Sequence, residues 1–434
     1  MENILALAKK AAEEAEVYQI SSEETQVRFE ANRLKQLQTN QQTSLALRIV
    51  KNGRIGYATT TGTDDDEQLV RNAVETAEFG TVASFQFPSA ADYPHVAIYD
   101  DAIDSVSIKE MIHLGEEMIA TVVGHTPEIL CEAGASRGVV SVRILNSRGG
   151  SADYRKSFFS LDIEGNLIED TDMLFVGESE SSCHPISDPR TVTATVLRQL
   201  ELARNRAKAP TRPLPVVFTP DGVASGLMMP LMSAFNGKTV LQGASPVGGK
   251  LGQVVFDSRL NIRDDPTLGY RPGSRPFDDE GVPSQCTSLV ENGVVAGFLY
   301  DLQTAALAGT RSTGNGSRSR GGLPAPAPSA FTVAPGDTTF DDMVRDIKEG
   351  LVVEHLMGAE QGNILGGDFS GNVLLGYRVE NGRIVGRVKD TMVSGNIYTV
   401  LKDISAIGSE VKWVGGFLQT PPFYCHGLSV SSKG

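Results

Sequence analysis

Hydrophobic positions along this chain follow two periods, and the switches between them predict its elements. Over residues 3–17, Ile4, Leu7, Ala8, Ala11, Ala12 and Ala15 recur on one stripe at helical spacing, which predicts an amphipathic helix. A strand-like run then leads to residues 43–50, and a second β-rich run, 54–60, follows Lys51-Asn52-Gly53. Asn-Gly between two such runs is a strong hairpin signal, because both turn residues must tolerate positive φ. The device returns at Asn292-Gly293 and Asn381-Gly382, which favours antiparallel pairing over a βαβ wind.

Further helices are predicted at about 64–79, opened by Thr63 and Asp64–Asp66, at 107–124 and at 190–208. Residues 128–147 and 154–181 read as consecutive strands between the last two. Residues 208–215 (KAPTRPLP) interrupt the pattern with three prolines, so the boundary between two domains, 1–208 and 209–434, is placed there. Beyond it come a short strand at 216–219 and a helix at 221–235 that Pro230 should kink or divide. Residues 236–328 are rich in glycine and proline, and helices are expected at 340–349 and 396–404. The fold class is therefore α+β: two domains of mostly antiparallel sheets with flanking helices, the second β-rich.

A chain of 434 residues exceeds one ordinary core, and 40% hydrophobic with 21% charged residues is a globular composition. Apolar runs such as 227–231 are too short to span a bilayer, and the N-terminus carries no basic segment followed by an apolar core. A cytoplasmic protein is expected. The net charge of −14 argues against direct nucleic-acid binding, which needs a basic footprint. Cys131, Cys183, Cys286 and Cys425 are scattered without a CxxC and read as reduced thiols.

The segments that could carry chemistry are few. A zinc site needs three or four converging His, Cys, Asp or Glu groups. None of His95, His113, His125, His184, His355 and His426 belongs to an HExxH or HExxxH helix. Cys183-His184 and Cys425-His426 lie in extended segments, where adjacent side chains face opposite ways. Glu354-His355 with Glu360 is the next cluster, with a single histidine. No G-x-S-x-G elbow is present. The acidic runs Asp264-Asp265 and Asp278-Asp279-Glu280 read as turns with solvated carboxylates rather than acid–base groups. Residues 243–252 (GASPVGGKLG) lack the phosphate-loop pattern. The loop 310–322 (TRSTGNGSRSRGG) is the best candidate for binding a phosphate, a carboxylate or a peptide terminus, with Arg311, Asn315, Arg318 and Arg320 as its substrate-binding residues. No catalytic and no metal-ligating residue is assigned.

An ordered series of segments resembles one family. Residues 48–59 (RIVKNGRIGYAT), 142–149 (VRILNSRG), 243–251, 263–266 (RDDP), 273–281 (GSRPFDDEG), 299–304 (LYDLQT), 312–316 (STGNG), 366–370 (GGDFS), 377–382 (YRVENG) and 394–396 (SGN) follow the order of the PmbA/TldD proteins. The resemblance covers nearly the whole chain and rests on the number of blocks in order. TldD-type members of that family carry an HExxxH helix; here its place falls near residues 227–233 (LMMPLMS), which hold no zinc ligand. The chain thus resembles the TldE/PmbA kind. The resemblance implies a subunit that processes or degrades small or unfolded peptides, including leader removal, with no cofactor of its own and zinc on a TldD-type partner. It also allows a homodimer when that partner is missing. Two other readings stay open: a regulatory protein of the gyrase-modulator type, and an autonomous hydrolase in which Glu354, His355, Asp368 or Cys425-His426 converge.

Overall fold

A computed structural model describes residues 1–62, 65–170, 172–319 and 322–433. The first half is one antiparallel sheet of β1 (Glu14–Glu30), β2 (Arg33–Lys51), β3 (Arg54–Thr60), β4 (Leu130–Asn146), β5 (Ser151–Glu169) and β6 (Asp172–Ser182). Their spatial order is β3-β2-β1-β4-β5-β6. Helix α1 (Glu2–Ala11) is shorter than its alanine stripe predicts. Glu14 already begins β1, because Val17 and Tyr18 pair with Leu47 and Ala46 on β2, and long-range pairing outweighs the local propensity of the alanines. The run expected at 154–181 is two strands, reversing near Asp170, whose φ is 54°.

Helix α2 (Asp66–Ala77) is capped by Asp65, whose carboxylate accepts from the Gln68 amide at 2.7 Å; the expected caps Thr63 and Asp64 lie outside the described residues. Ile4, Ala8, Leu69 and Ala73 from α1 and α2 cover Val17, Leu47 and Ile49 of the sheet. Helix α3 (Ile108–His125) starts on a Ser107–Glu110 capping box, and α4 (Arg190–Ala203) packs beside it.

The second half holds β7 (Arg206–Ala207), β8 (Arg212–Phe218), β9 (Glu349–Met357), β10 (Asp368–Glu380), β11 (Arg383–Val388), β12 (Thr391–Asn396) and β13 (Phe423–Ser432). They are ordered β9-β8-β13-β12-β10-β11-β7, and β10 also pairs with β9. Five strands thereby close into a ring, with its edges paired away. A separate sheet of six short strands runs Val294–Val295, Thr287–Glu291, Ile262–Asp264, Phe331–Val333, Leu418–Thr420 and Lys412–Val414. The helices expected at 340–349 and 396–404 shrink to Phe340–Asp346 and Ile397–Val400, the first because Glu349 opens β9.

All three Asn-Gly turns form, with both residues left-handed: φ is 50° and 69° at Asn52-Gly53, 49° and 77° at Asn292-Gly293, and 48° and 76° at Asn381-Gly382. One core joins the halves. Met118, Leu161 and Val196 share it with Val217, Val352, Tyr377 and Tyr424.

Candidate functional site

Residues 227–233, where the resemblance sets the metal motif, lie on helix α5. It begins as Pro220–Val223, passes through a π-helical turn at Ala224–Met228 and ends as Met229–Ala234. Pro220 suits a first helical position, and Thr219 accepts from the Gly222 amide at 3.3 Å. Pro230 has no N–H, and its ring crowds the carbonyl four residues back; the wider π turn just ahead of it relieves both. The helix therefore continues past Pro230 rather than stopping. A side chain at Gly222 would meet the Val353 carbonyl at 2.3 Å, so only glycine lets α5 approach β9 this closely.

Leu227, Met228, Leu231 and Met232 of α5 point into the core of the second half. Cys425 of β13 lies in the same core, and burial pushes its thiol well above the ordinary range, which keeps the sulfur protonated. His426 is exposed, opposite Cys425, and Cys183 is likewise buried while His184 faces outward and bonds Asp100 at 2.6 Å. The remaining candidates stay apart: Asp368 is exposed and accepts from Asn396 at 2.8 Å, Glu360 is exposed, and Glu354 is buried while its neighbour His355 is exposed. Among the described residues no three His, Cys, Asp or Glu side chains gather as a metal site.

The acidic runs are a correction to the sequence reading. Asp264, Asp278 and Glu280 are 0% exposed, and Asp265 and Asp279 are also buried. Arg48 of β2 donates to Glu280 at 2.6 Å and to Glu16 of β1 at 3.1 Å, beneath the rings of Phe85 and Phe87. Glu280 also accepts from the Leu302 amide at 2.6 Å. Asp278 accepts the amides of Glu280 and Val282 at 2.9 Å and that of Gly316 at 2.8 Å. Burial, and then the nearby Glu280 charge, push the Asp278 carboxyl up to about 7. These carboxylates clamp the glycine-rich segment onto the first sheet instead of facing water.

The residues expected to bind substrate are largely spent in that clamp. Arg318 is buried; its guanidinium pairs with Glu16, donates to the Asp279 carbonyl at 3.0 Å and lies over Tyr18. Asn315 is buried too, donating to Asp264 at 2.7 Å and to the Ala327 carbonyl at 3.1 Å. Both have their polar atoms committed inside the protein, although Arg318 also lines a cavity of about 790 Å³ with Tyr18 and Ser44. Arg311 is exposed, and Arg320 lies outside the described residues. Among the described residues the loop is not an open arginine cluster. Its residues 316 and 317 pair with 326 and 325.

Residues 211–432 match the model of the PmbA/TldA metallopeptidase C-terminal domain, and residues 15–78 match that of the PmbA/TldA metallopeptidase domain 1. The chain belongs to the PmbA/TldD family. It is 28% identical over 407 residues to an uncharacterised protein of Methanocaldococcus jannaschii, covering 93% of each chain. It is 26% identical over 426 residues to the metalloprotease PmbA homologue of Haemophilus influenzae, covering 94% of this chain and 90% of that one. The fold superposes on the crystal structure of TldE from Thermococcus kodakarensis with a TM-score of 0.90 over 100% of both chains at 21% identity. The PmbA/TldD family name implies a metal, and residues 227–233, where the resemblance sets the motif, do not fit one. Leucine and methionine side chains packed in a core, beside a protonated thiol, offer no ligand set for zinc. Among the described residues no helix is long and apolar enough to cross a membrane.

Proposed function

We propose that this chain is a TldE/PmbA-type subunit of a TldD–TldE-type metalloprotease that processes or degrades small or unfolded peptides, its partner holding the metal. One observation supports the reading: Leu227, Met228, Leu231 and Met232 of α5, where the resemblance sets the motif helix, are packed in the core of a region that matches the family's C-terminal domain. A helix maintained without its ligands supplies wall and shape rather than chemistry. Peptide capture has a suitable surface. β3 pairs only with residues 45–51 of β2, so residues 33–44 leave their outer edge open among the described residues. That edge is exposed and rich in Gln, Asn and Thr, and an extended chain can add to it through main-chain hydrogen bonds with little regard to side chains. This reading places the chain in the cytoplasm, with four free thiols, and allows it to self-associate when the partner is missing.

The test is metal analysis and cleavage of an unfolded peptide by the purified chain alone, by a TldD-type partner alone, and by their mixture. The mixture should hold stoichiometric zinc and cleave, while this chain alone does neither. Zinc and cleavage by this chain alone would overturn the reading. Binding to gyrase with no effect on the partner would favour the regulatory alternative instead. Slowed hydrogen exchange over residues 33–44 on adding peptide is the expected sign of capture at the β2 edge.

A further inference from the structure

Between the first sheet and the ring of strands lies a cavity of about 300 Å³. Its wall carries five carboxylates, Asp162 and Glu164 from β5, Glu178 from β6, Asp221 from α5 and Glu354 from β9, with Phe175, Leu374 and Leu375 supplying apolar surface. Two of the acidic groups are answered by one cation: Lys412 donates to Asp221 at 2.7 Å and also pairs with Glu178. Asp162 meets Arg28 at 3.1 Å on the rim. Glu164 is exposed and also lacks a partner among the described residues, so what sets Glu354 apart is its burial. Glu354 is only 7% exposed, yet it has no hydrogen bond or ion pair among the described residues. Arg198, on α4, attracts it from a distance but stacks on Phe340, at 5.0 Å from that ring, instead of reaching it.

The backbone puts Glu354 there deliberately. β9 and β10 lose register on both sides of His355, so that Val353 pairs with Gly376, His355 with Leu375 and Leu356 with Val373, leaving Glu354 unpaired. Such a bulge re-aims one side chain at the expense of ladder bonds, and it turns this carboxylate toward the cavity. Leaving a buried carboxylate without a partner is costly, and an apolar residue would suit the packing better. The arrangement is explained if a cation completes it. Metal ions are a poor match, since no three ligand groups converge, while an ammonium asks only for one or two carboxylates and a greasy channel for its stem.

We propose that this cavity binds a primary ammonium on a short aliphatic stem, with Glu354 as its main counter-charge and Phe175, Leu374 and Leu375 around the methylenes. The ammonium could belong to a lysine side chain of a peptide or to a free alkylamine; both share the chemistry. The site does not depend on the partner-subunit reading and would stand if that reading failed. Burial raises the Glu354 carboxyl to about 7, with Asp221 and Glu178 adding to the rise while Arg198 and Lys412 oppose it. The Tyr377 hydroxyl, also near Glu354, is buried without a hydrogen-bond partner, and burial raises its pKa. Binding should therefore tighten between about pH 6 and about pH 8, as Glu354 loses its proton while an alkylamine stays charged.

Calorimetric titration of the full chain with butylamine, N-acetyl-lysine amide and the neutral N-acetyl-norleucine amide tests this. Both amines should bind in the millimolar range or tighter, and the norleucine compound should not. Stronger binding of the lysine amide assigns the site to peptides; equal or stronger binding of butylamine assigns it to free amines. Glu354→Gln, nearly isosteric, should weaken the amines about tenfold or more and flatten the pH dependence. His355 is exposed but also lines the cavity, and His355→Asn should keep that dependence, which separates Glu354 from this neighbour. Phe175→Ala, on a partly exposed strand position, should weaken binding severalfold without altering the pH profile. Absence of amine binding, equal binding of the norleucine compound, or an unchanged affinity in a folded Glu354→Gln chain would each overturn the proposal.

Discussion

Two regions of this molecule bury carboxylates, and they treat them oppositely. At the clamp between the first sheet and the glycine-rich segment, Glu16, Glu280, Asp278 and Asp264 each meet arginine, asparagine or main-chain N–H donors at hydrogen-bonding distance. In the cavity below α5, Glu354 is buried almost as completely, yet among the described residues it has no hydrogen bond or ion pair, and Arg198 and Lys412 attract it only without contact. The physical cost of burying charge is the same in both places; what differs is whether the fold itself meets it. Where it does, the residues are architecture, and their donors are not available to a ligand. Where it does not, the carboxyl keeps its proton to higher pH and leaves room for an outside cation. Acidic residues alone do not distinguish the two, since both regions are rich in them.

The largest effect that could break this contrast is at Arg48. Replacing it by Met leaves Glu280, 0% exposed, with the Leu302 amide but no cation, and Glu16, also 0% exposed, with Arg318 alone, and should cost about 3–5 kcal/mol of stability, read from the denaturant midpoint. Adding Glu16→Gln and Glu280→Gln in the same chain should recover part of that loss. A drop below about 1 kcal/mol for Arg48→Met would mean the clamp is as loosely held as a surface pair, and the contrast would collapse.

How much of this was legible in the sequence follows the same division. Local chemistry was readable: the Asn-Gly turns and the opposed faces of Cys183-His184 and Cys425-His426 depend on near neighbours. The clamp was not. Arg48 and Glu280 are 232 residues apart, and Arg318 and Glu16 are 302 apart, so nothing within any short window marks Asp278-Asp279-Glu280 as buried or Arg318 as already paired. Read locally, the first looks like a solvated turn and the second like an open anion site. The cavity was half legible. Glu354-His355 stood out as a cluster and both line the cavity, but the bulge that leaves Glu354 unpaired comes from the mismatch between β9 and β10, and Asp221, Glu178 and Lys412 arrive from three distant elements.

Glu354 sharpens the contrast through pH. Its folded carboxyl titrates at about 7, above the ordinary 4.5, so the folded state holds this proton longer than the unfolded chain does. The stability tied to that proton is fully present below about pH 4.5 and is lost as pH rises through about 7. Asp278, also raised to about 7, contributes in the same direction, so only the difference between the parent and Glu354→Gln isolates the cavity. Above about pH 8 the variant should be the more stable, by up to about 3 kcal/mol, with the difference shrinking to near zero at about pH 5. Thermal unfolding across that range measures it, and a variant less stable at high pH would show that Glu354 has a partner after all.

The smallest expected effect lies on the rim of the same cavity. The Arg28–Asp162 pair spans 3.1 Å with side chains 51% and 34% exposed, so water screens it and both side chains lose freedom to form it. Arg28→Ala should change stability by less than about 1 kcal/mol, and by less again in high salt, although the pair's geometry resembles that of Arg48 with Glu16. Burial, not distance, then separates the two pairs. Burial raises the Asp162 carboxyl even with Arg28 beside it, and losing that cation should raise it further, adding one more proton-holding group to the cavity wall. If Arg28→Ala instead costs as much as Arg48→Met, the rim is part of the architecture, and the acidic cavity is smaller and better compensated than its lining suggests.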